Sequence, residues 1–329
     1  MRNLITDISG IHVGQAEDAA LASGVTVVIF DHAVIGGVDV RGGGPGTRET
    51  ALLDPAQTVE GIDAIVLSGG SAFGLDAASG VQAYLREQGL GFRIREAVVL
   101  IVPGAILFDL LNGGDKAWDR YPPYRELGYA AAASASSDMQ LGSAGAGLGA
   151  TTATLKGGVG SASAKTRAGI TVGALAVVNA VGTVTVGDGP HFWAAPFEQD
   201  GEFGGRGVAP QVSASDLALR AKGGPRENTT IAVIATDARL NKAQANRLAV
   251  MAQDGLARAI YPVHTPLDGD VIFSAATGAI EIADPHYGMT ELGMVAGNVM
   301  ARAVARGVYQ ATALSFPGAL PSWQDRFGR

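Results

Sequence analysis

Runs of β-prone residues come in adjacent pairs along this chain, and helical runs stand apart from them. The steady strand–helix–strand alternation that a parallel sheet requires is missing. Residues 25–30 and 33–40 read as neighbouring strands joined by a turn at Asp31-His32. Residues 64–67, bounded by Gly69-Gly70, and residues 97–102, closed by Pro103-Gly104, read as further strands. The β-branched stretch 170–186, broken by Asn179, reads as two strands or one bent one, and 229–235 and 271–275 complete the set. Helical periodicity follows Ser71, where Ala77, Val81, Tyr84 and Leu85 share a face and Gly89 provides a cap. It recurs over 125–140, near 214–221, from the Asn241/Gln244 capping box to about residue 260, and over 290–313. This order specifies a mixed α/β class, an αββα sandwich of two central sheets between helix layers. No linker or repeat divides the 329 residues, so a single domain is expected.

Composition narrows the function. Hydrophobic residues make up 47% of the chain and charged residues only 17%, which implies extensive burial in layers or subunit contacts. The 47 glycines are about double the usual share of roughly 7%, yet they follow no period, so tight turns and close backbone packing account for them. A formal charge of −7 gives no basic footprint for nucleic acid. No apolar run reaches the roughly 18 residues that a membrane helix needs, and the N-terminus lacks a signal-peptide core. The absence of cysteine excludes disulfides, thiolate catalysis and thiolate metal sites. A cytoplasmic protein without a cofactor is the expectation.

Several motifs fail on inspection. Gly145-x-Gly147-x-x-Ala150 has the spacing of a dinucleotide fingerprint but no strand before it. Gly70-Ser71-Ala72-Phe73-Gly74 resembles a nucleophile elbow with the wrong glycine spacing, which leaves Ser71 as a helix-capping residue. The histidines His12, His32, His191, His264 and His286 show no paired spacing for zinc and read as solvated or core residues. Asp268-Gly269-Asp270 lacks the other ligands of a calcium loop, and alone it reads as a turn.

Asn228-Thr229 remains. A glycine-rich run, 221–225, ends there and an apolar strand begins at once. One reading is a turn into a buried strand; the Asn-x-Thr glycosylation pattern is a second, which needs a secretory route. The third is self-cleavage. A break before Thr229 would put a hydroxyl and a free α-amine on one residue, a nucleophile carrying its own base. Asp268 and Asp270 lie about forty residues on, just ahead of a partner strand, where carboxylates can orient an N-terminal ammonium.

Taken in order, Asp39-Val40-Arg41-Gly42-Gly43, Leu67-Ser68-Gly69-Gly70-Ser71-Ala72-Phe73-Gly74-Leu75, Gly145-Ala146-Gly147, Leu155-Lys156-Gly157-Gly158, Val178-Asn179, Asn228-Thr229-Thr230 and His264-Thr265-x-x-Asp268-Gly269-Asp270 make a specific set. By it the chain resembles, over nearly its whole length, the self-processing N-terminal nucleophile hydrolases that include the DmpA-type aminopeptidases and the nylon-oligomer (6-aminohexanoate) hydrolases. The resemblance implies a precursor that cuts itself into an α chain, 1–228, and a β chain, 229–329. It implies assembly of several such αβ units and hydrolysis of small peptides, amides or amino-acid oligomers through an acyl-enzyme on Thr229. It also implies roles for neighbours: Asn179 as oxyanion donor, Lys156 as a positive charge beside the nucleophile, Asp268 and Asp270 as orienting groups. Two departures stand out: Thr152 and Thr154 where some relatives have a lysine, and Phe108 where relatives carry a tyrosine. An acyltransferase of the ornithine acetyltransferase type and a non-catalytic scaffold are the competing readings.

Overall fold

The computed structural model describes residues 1–222 and 228–328; residues 223–225 of the glycine-rich run and Glu227 lie outside the described residues. The strands are β1 (Ile11–Asp18), β2 (Ser23–Val40), β3 (Thr47–Arg48), β4 (Gly61–Ser68), β5 (Phe92–Ile94) and β6 (Ala97–Val99). They continue with β7 (Gly104–Ile106), β8 (Gly158–Lys165), β9 (Thr171–Asn179), β10 (Thr229–Ala238) and β11 (Val271–Ile280). The helices are α1 (Ala77–Glu87), α2 (Tyr124–Ala133), α3 (Lys242–Ala259), α4 (Pro285–Tyr309) and α5 (Trp323–Phe327).

Side-chain alternation along the strands builds the layers. In β10, Ala232, Ile234 and Ala238 face Leu248, Ala252 and Leu256 of α3 and Val299, Met300 and Val304 of α4. Ile231, Val233 and Ala235 of the same strand face the opposite way. With Val177 of β9 and Phe273 of β11 they meet Val28 and Phe30 of β2 and Ile65 and Leu67 of β4. On the far side of β2 and β4, Val25, Val27 and Val66 pack on Val81 and Leu85 of α1 and Ala131 of α2. The order is helix, strand, strand, helix, with three apolar seams; each fully buried Leu, Ile or Val contributes about 1.5–3 kcal/mol. The αββα sandwich is present.

Its two strand layers are leaves of one hydrogen-bonded ladder, ordered β3-β7-β4-β2-β11-β10-β9-β8 with β1 on β2, and β5–β6 form a separate hairpin. The expected turn at Asp31-His32 is the point of difference. Residues 23–40 are one strand, and its register against β4 shifts between Ile29 and Val34, where Asp31, His32 and Ala33 are exposed. The first half of β2 pairs with β1 and β4, and its second half pairs with β11. A polar interruption in an apolar run marks a bulge here, not a hairpin.

Other boundaries moved for physical reasons. The helix expected near 214–221 is not formed; Leu217 and Leu219 are exposed, so no apolar face is buried to stabilise a short helix. The 125–140 helix ends at Ala133, residues 97–102 are extended in β6 only to Val99, and α4 begins at Pro285 behind its Asp284 cap. The expected box at α3 forms, with Gln244 N–H donating to Asn241 Oδ1 at 2.9 Å and Asn241 N–H to Gln244 Oε1 at 3.0 Å. No helix among the described residues is long and apolar enough to cross a membrane.

For the site, the decisive placement is that of β10. It runs antiparallel to β9 and parallel to β11, with α3 as the crossover that a parallel pair requires.

Candidate active site

Thr229 is the first residue of β10 and lies opposite Asn179, the last residue of β9. Asn228 bridges in parallel fashion to Asp268 in the loop that leads into β11. Three strand ends and one loop therefore converge on the Asn228–Thr229 peptide, and Asn228, Thr229, Asp268 and Asp270 are all buried. The Asn228 carbonyl oxygen accepts the Gly269 N–H at 3.0 Å, and the Thr229 hydroxyl donates to the same oxygen at short range. A Cβ on residue 269 would sit 2.8 Å from Thr229 Oγ1, so only glycine lets this loop approach the threonine.

The two carboxylates hold the loop and the strand in register. Asp270 Oδ1 accepts the Thr230 N–H at 2.7 Å, and its Oδ2 accepts from the His264 N–H at 3.1 Å and from His264 Nδ1 at 2.9 Å. Asp268 takes the N–H groups of Val181 at 3.3 Å and Thr265 at 2.9 Å. Burial pushes the Asp268 carboxyl up to about 6, with Asp270 adding to the rise and the Thr265 and Val181 bonds opposing it. The glycine-rich loop after β2 clasps this segment from outside. Arg41 and Gly42 donate to the Asp270 carbonyl at 3.0 and 3.2 Å, and Gly44 donates to that of Asp268 at 2.7 Å. Gly42 must lack a side chain, since a Cβ there would fall 2.3 Å from Asp270 N.

Asn179 is wholly buried. Its Nδ2 donates to the Phe108 carbonyl at 3.0 Å, and its Oδ1 accepts the Thr151 N–H at 3.0 Å and Lys222 Nζ at 2.8 Å. Phe108, Thr151 and Lys222 also line a cavity of about 210 Å³, together with Asp109, Lys156 and the apolar side chains of Leu111, Leu314 and Leu320. The cavity opens beside Asn179 and so beside the end of β9 that faces Thr229.

Lys156 is wholly buried at the wall of the same cavity. Its ammonium donates to the carbonyls of Gly147 and Ala150 at 2.9 Å each and of Gly157 at 2.8 Å, so it clasps the turn before β8. Burial pushes it down to about 7, with the Lys222 charge adding to the fall and Asp109 opposing it. The cation bonded to Asn179 is Lys222, which the sequence reading did not single out; no local signal marks it, because the meeting arises only in the fold. His264 was read as a solvated or core histidine and is instead bonded to Asp270. Its place in the His264-Thr265-x-x-Asp268-Gly269-Asp270 run was the available signal. Ser71 makes no capping bond. It follows Gly70 at φ +53°, in a tight turn where Gly70 N–H donates to the buried Asp109 carboxylate at 2.8 Å.

Comparison with known proteins identifies the family and the fold. The family model described as peptidase family S58 matches residues 3–319. An uncharacterized aminopeptidase of Mycobacterium bovis is 44% identical over 347 residues, covering 99% of this chain and 98% of its own. A 6-aminohexanoate-oligomer endohydrolase of a Kocuria species is 28% identical over 316 residues, covering 91% of this chain and 84% of its own. Among solved structures, the L-aminopeptidase D-Ala-esterase/amidase of Ochrobactrum anthropi, described as a variant of the Ntn hydrolase fold, superposes with a TM-score of 0.71. It covers 98% of this chain and 91% of that one at 20% identity, and so speaks for the fold alone. A family match over nearly the full length, on an Ntn-type sandwich whose strand ends gather around one threonine, places the chain in peptidase family S58, as a hydrolase of peptide or amide bonds.

Proposed function

We propose that the chain is a self-activating N-terminal threonine hydrolase, which cuts itself between Asn228 and Thr229 and then hydrolyses small peptides or amino-acid oligomers. The observation that carries this reading is the Asn228 carbonyl itself. It sits against the Thr229 hydroxyl and accepts the Gly269 N–H at 3.0 Å, so a nucleophile and an oxyanion donor address one peptide bond. A second observation supports it. Both polar atoms of the Asn228 side chain are buried with no hydrogen-bond partner among the described residues. Unpaired buried groups of this kind cost about 1–3 kcal/mol each. A cut that frees the Asn228 end relieves that cost, so the intact chain is held at some expense at this bond.

In the cleavage, Thr229 Oγ adds to the Asn228 carbonyl carbon, the hydroxyl proton passes to the departing Thr229 nitrogen, and the C–N bond breaks. The resulting ester is hydrolysed by water, which leaves a free α-amine on Thr229. That amine has an ordinary pKa of about 7.7–8.0, so near neutral pH a useful fraction is unprotonated and takes the Thr229 proton during attack on substrate. Asp270 fixes the strand through Thr230 N–H, and Asp268 fixes the loop carrying the Gly269 N–H. Asn179, opposite Thr229, is the donor for the substrate oxyanion once its amide turns from the Phe108 carbonyl. Lys222, on the Asn179 side-chain oxygen, orients that amide. The cavity beside Asn179, mostly apolar and about 210 Å³, takes the acyl portion of a small substrate.

The test is the denatured mass of purified protein together with N-terminal sequencing. Two chains are expected, the smaller beginning Thr-Thr-Ile-Ala. Thr229→Ala should give one uncut chain and no hydrolysis. A Thr229→Ala protein that is cut and active would overturn the reading.

A further inference from the structure

His264 occupies a position that local chemistry does not favour. Its backbone lies at φ +55°, in the left-handed region that side chains rarely adopt and that persists only where the surroundings fix it. Its Nε2 is buried with no hydrogen-bond partner among the described residues. What the conformation achieves is a pair of bonds to one atom: the backbone N–H at 3.1 Å and ring Nδ1 at 2.9 Å both meet Asp270 Oδ2. The other oxygen of that carboxylate is thereby left facing the Thr230 N–H, at 2.7 Å.

We infer that His264 is a positioning residue: its imidazole locks the rotation of the Asp270 carboxylate, and through Thr230 N–H that carboxylate sets where the Thr229 hydroxyl and amine stand. The inference rests on the reading of Thr229 as nucleophile. Two backbone N–H groups, of Thr230 and of His264, give the carboxylate one bond on each oxygen, and the ring adds a second bond on Oδ2 that resists its twisting about its own axis. With the ring bond in place Asp270 is held by three donors, and the start of β10 is pinned on both sides, by β9 and by this clasp. Nδ1 must carry a proton to donate to the Asp270 carboxylate, which fixes the face that the ring turns to it.

The geometry supplies a test that separates this role from a packing role. Glycine adopts φ +55° freely, so His264→Gly relaxes the backbone while deleting the ring. In His264→Asn the amide nitrogen overlays Nδ1, and asparagine tolerates the left-handed region. Self-cleavage would be followed by mass over time, and kcat and KM measured on an amino-acid p-nitroanilide that the parent hydrolyses. The expected result for His264→Gly is a folded protein that cuts itself more slowly. Its kcat should be lower by about ten- to a hundredfold, as small misplacements of reacting groups cost, with KM within about twofold. His264→Asn should recover most of the loss. Unchanged cutting and kcat in His264→Gly would overturn the proposal, and so would a His264→Asn variant as poor as His264→Gly. A cut, active Thr229→Ala protein would remove the underlying reading and this proposal with it, whereas a normal His264→Gly protein removes the proposal alone.

Discussion

Asp268→Asn reads the electrostatics of the site directly. Burial, with Asp270 beside it, raises the Asp268 carboxyl from 3.8 to about 6. Between about pH 4 and pH 6 the folded chain therefore holds a proton that the unfolded chain has released. Stability from this group is fullest below about pH 4 and falls as pH rises through the window. At 1.36 kcal/mol per pH unit, the loss has a ceiling of about 3 kcal/mol, present in full above about pH 6. Asparagine carries no such cost, but its amide nitrogen would confront one of the two N–H groups that the carboxylate now accepts, Val181 or Thr265. A lost bond to a charged acceptor and an unpaired buried donor together cost about 1.5–3 kcal/mol. The two effects nearly cancel at pH 7–8, so the signature is a slope and not a level. Urea unfolding of the uncut Thr229→Ala chain, followed by tryptophan fluorescence from pH 4 to 8, should show stability declining across pH 4–6. The same chain with Asp268→Asn should lack that decline. Parallel curves for the two proteins would mean that another group titrates in the window and that burial of Asp268 is the wrong cause.

Two further outcomes follow from the same geometry. Asn179→Ala should lower kcat on substrate by about 10²–10³, the loss of one oxyanion donor, about 3–4 kcal/mol. It should slow self-cleavage far less, because the Asn228 carbonyl takes its bond from Gly269; equal losses in both reactions would refute that division. Lys156→Met should lower the thermal midpoint by an amount matching about 2 kcal/mol, since three carbonyls each lose a bond to a charged donor, two of them keeping a backbone N–H. An unchanged midpoint would count against its role as a clasp.

Much of this arrangement is legible in the amino-acid order, and the remainder is not for identifiable reasons. The α3 capping box can be read because Asn241 and Gln244 satisfy each other's backbone within one turn of chain. The strand that starts at Thr229 can be read because Gly and Pro give way abruptly to β-branched residues. Asp268 and Asp270 could be placed near it because a turn ahead of a neighbouring strand must return to the same end of the sheet. Bulge and hairpin look alike at Asp31-His32, since both put polar residues in the open, and only the partner strand decides between them. Lys156 and Lys222 differ for the same kind of reason. A lysine declares its charge in the sequence but not which carbonyls or amides will surround it: Lys156 meets three carbonyls and Lys222 the Asn179 amide oxygen. His264 was visible as a letter in a run; the left-handed backbone that turns it toward Asp270 was not.

β10 and β11 lie in the interior of the sheet, flanked by β9 on one side and β2 on the other. A scission before Thr229 would leave two polypeptides interlaced, with neither able to withdraw unless ladders rupture along both borders. Tethering would have guided the original weave, and the severed pieces would no longer have it. Once melted apart, they would have to find each other by collision, at a rate set by dilution. Longevity in the assembled form and poor recovery after melting would thus be two faces of one topological fact.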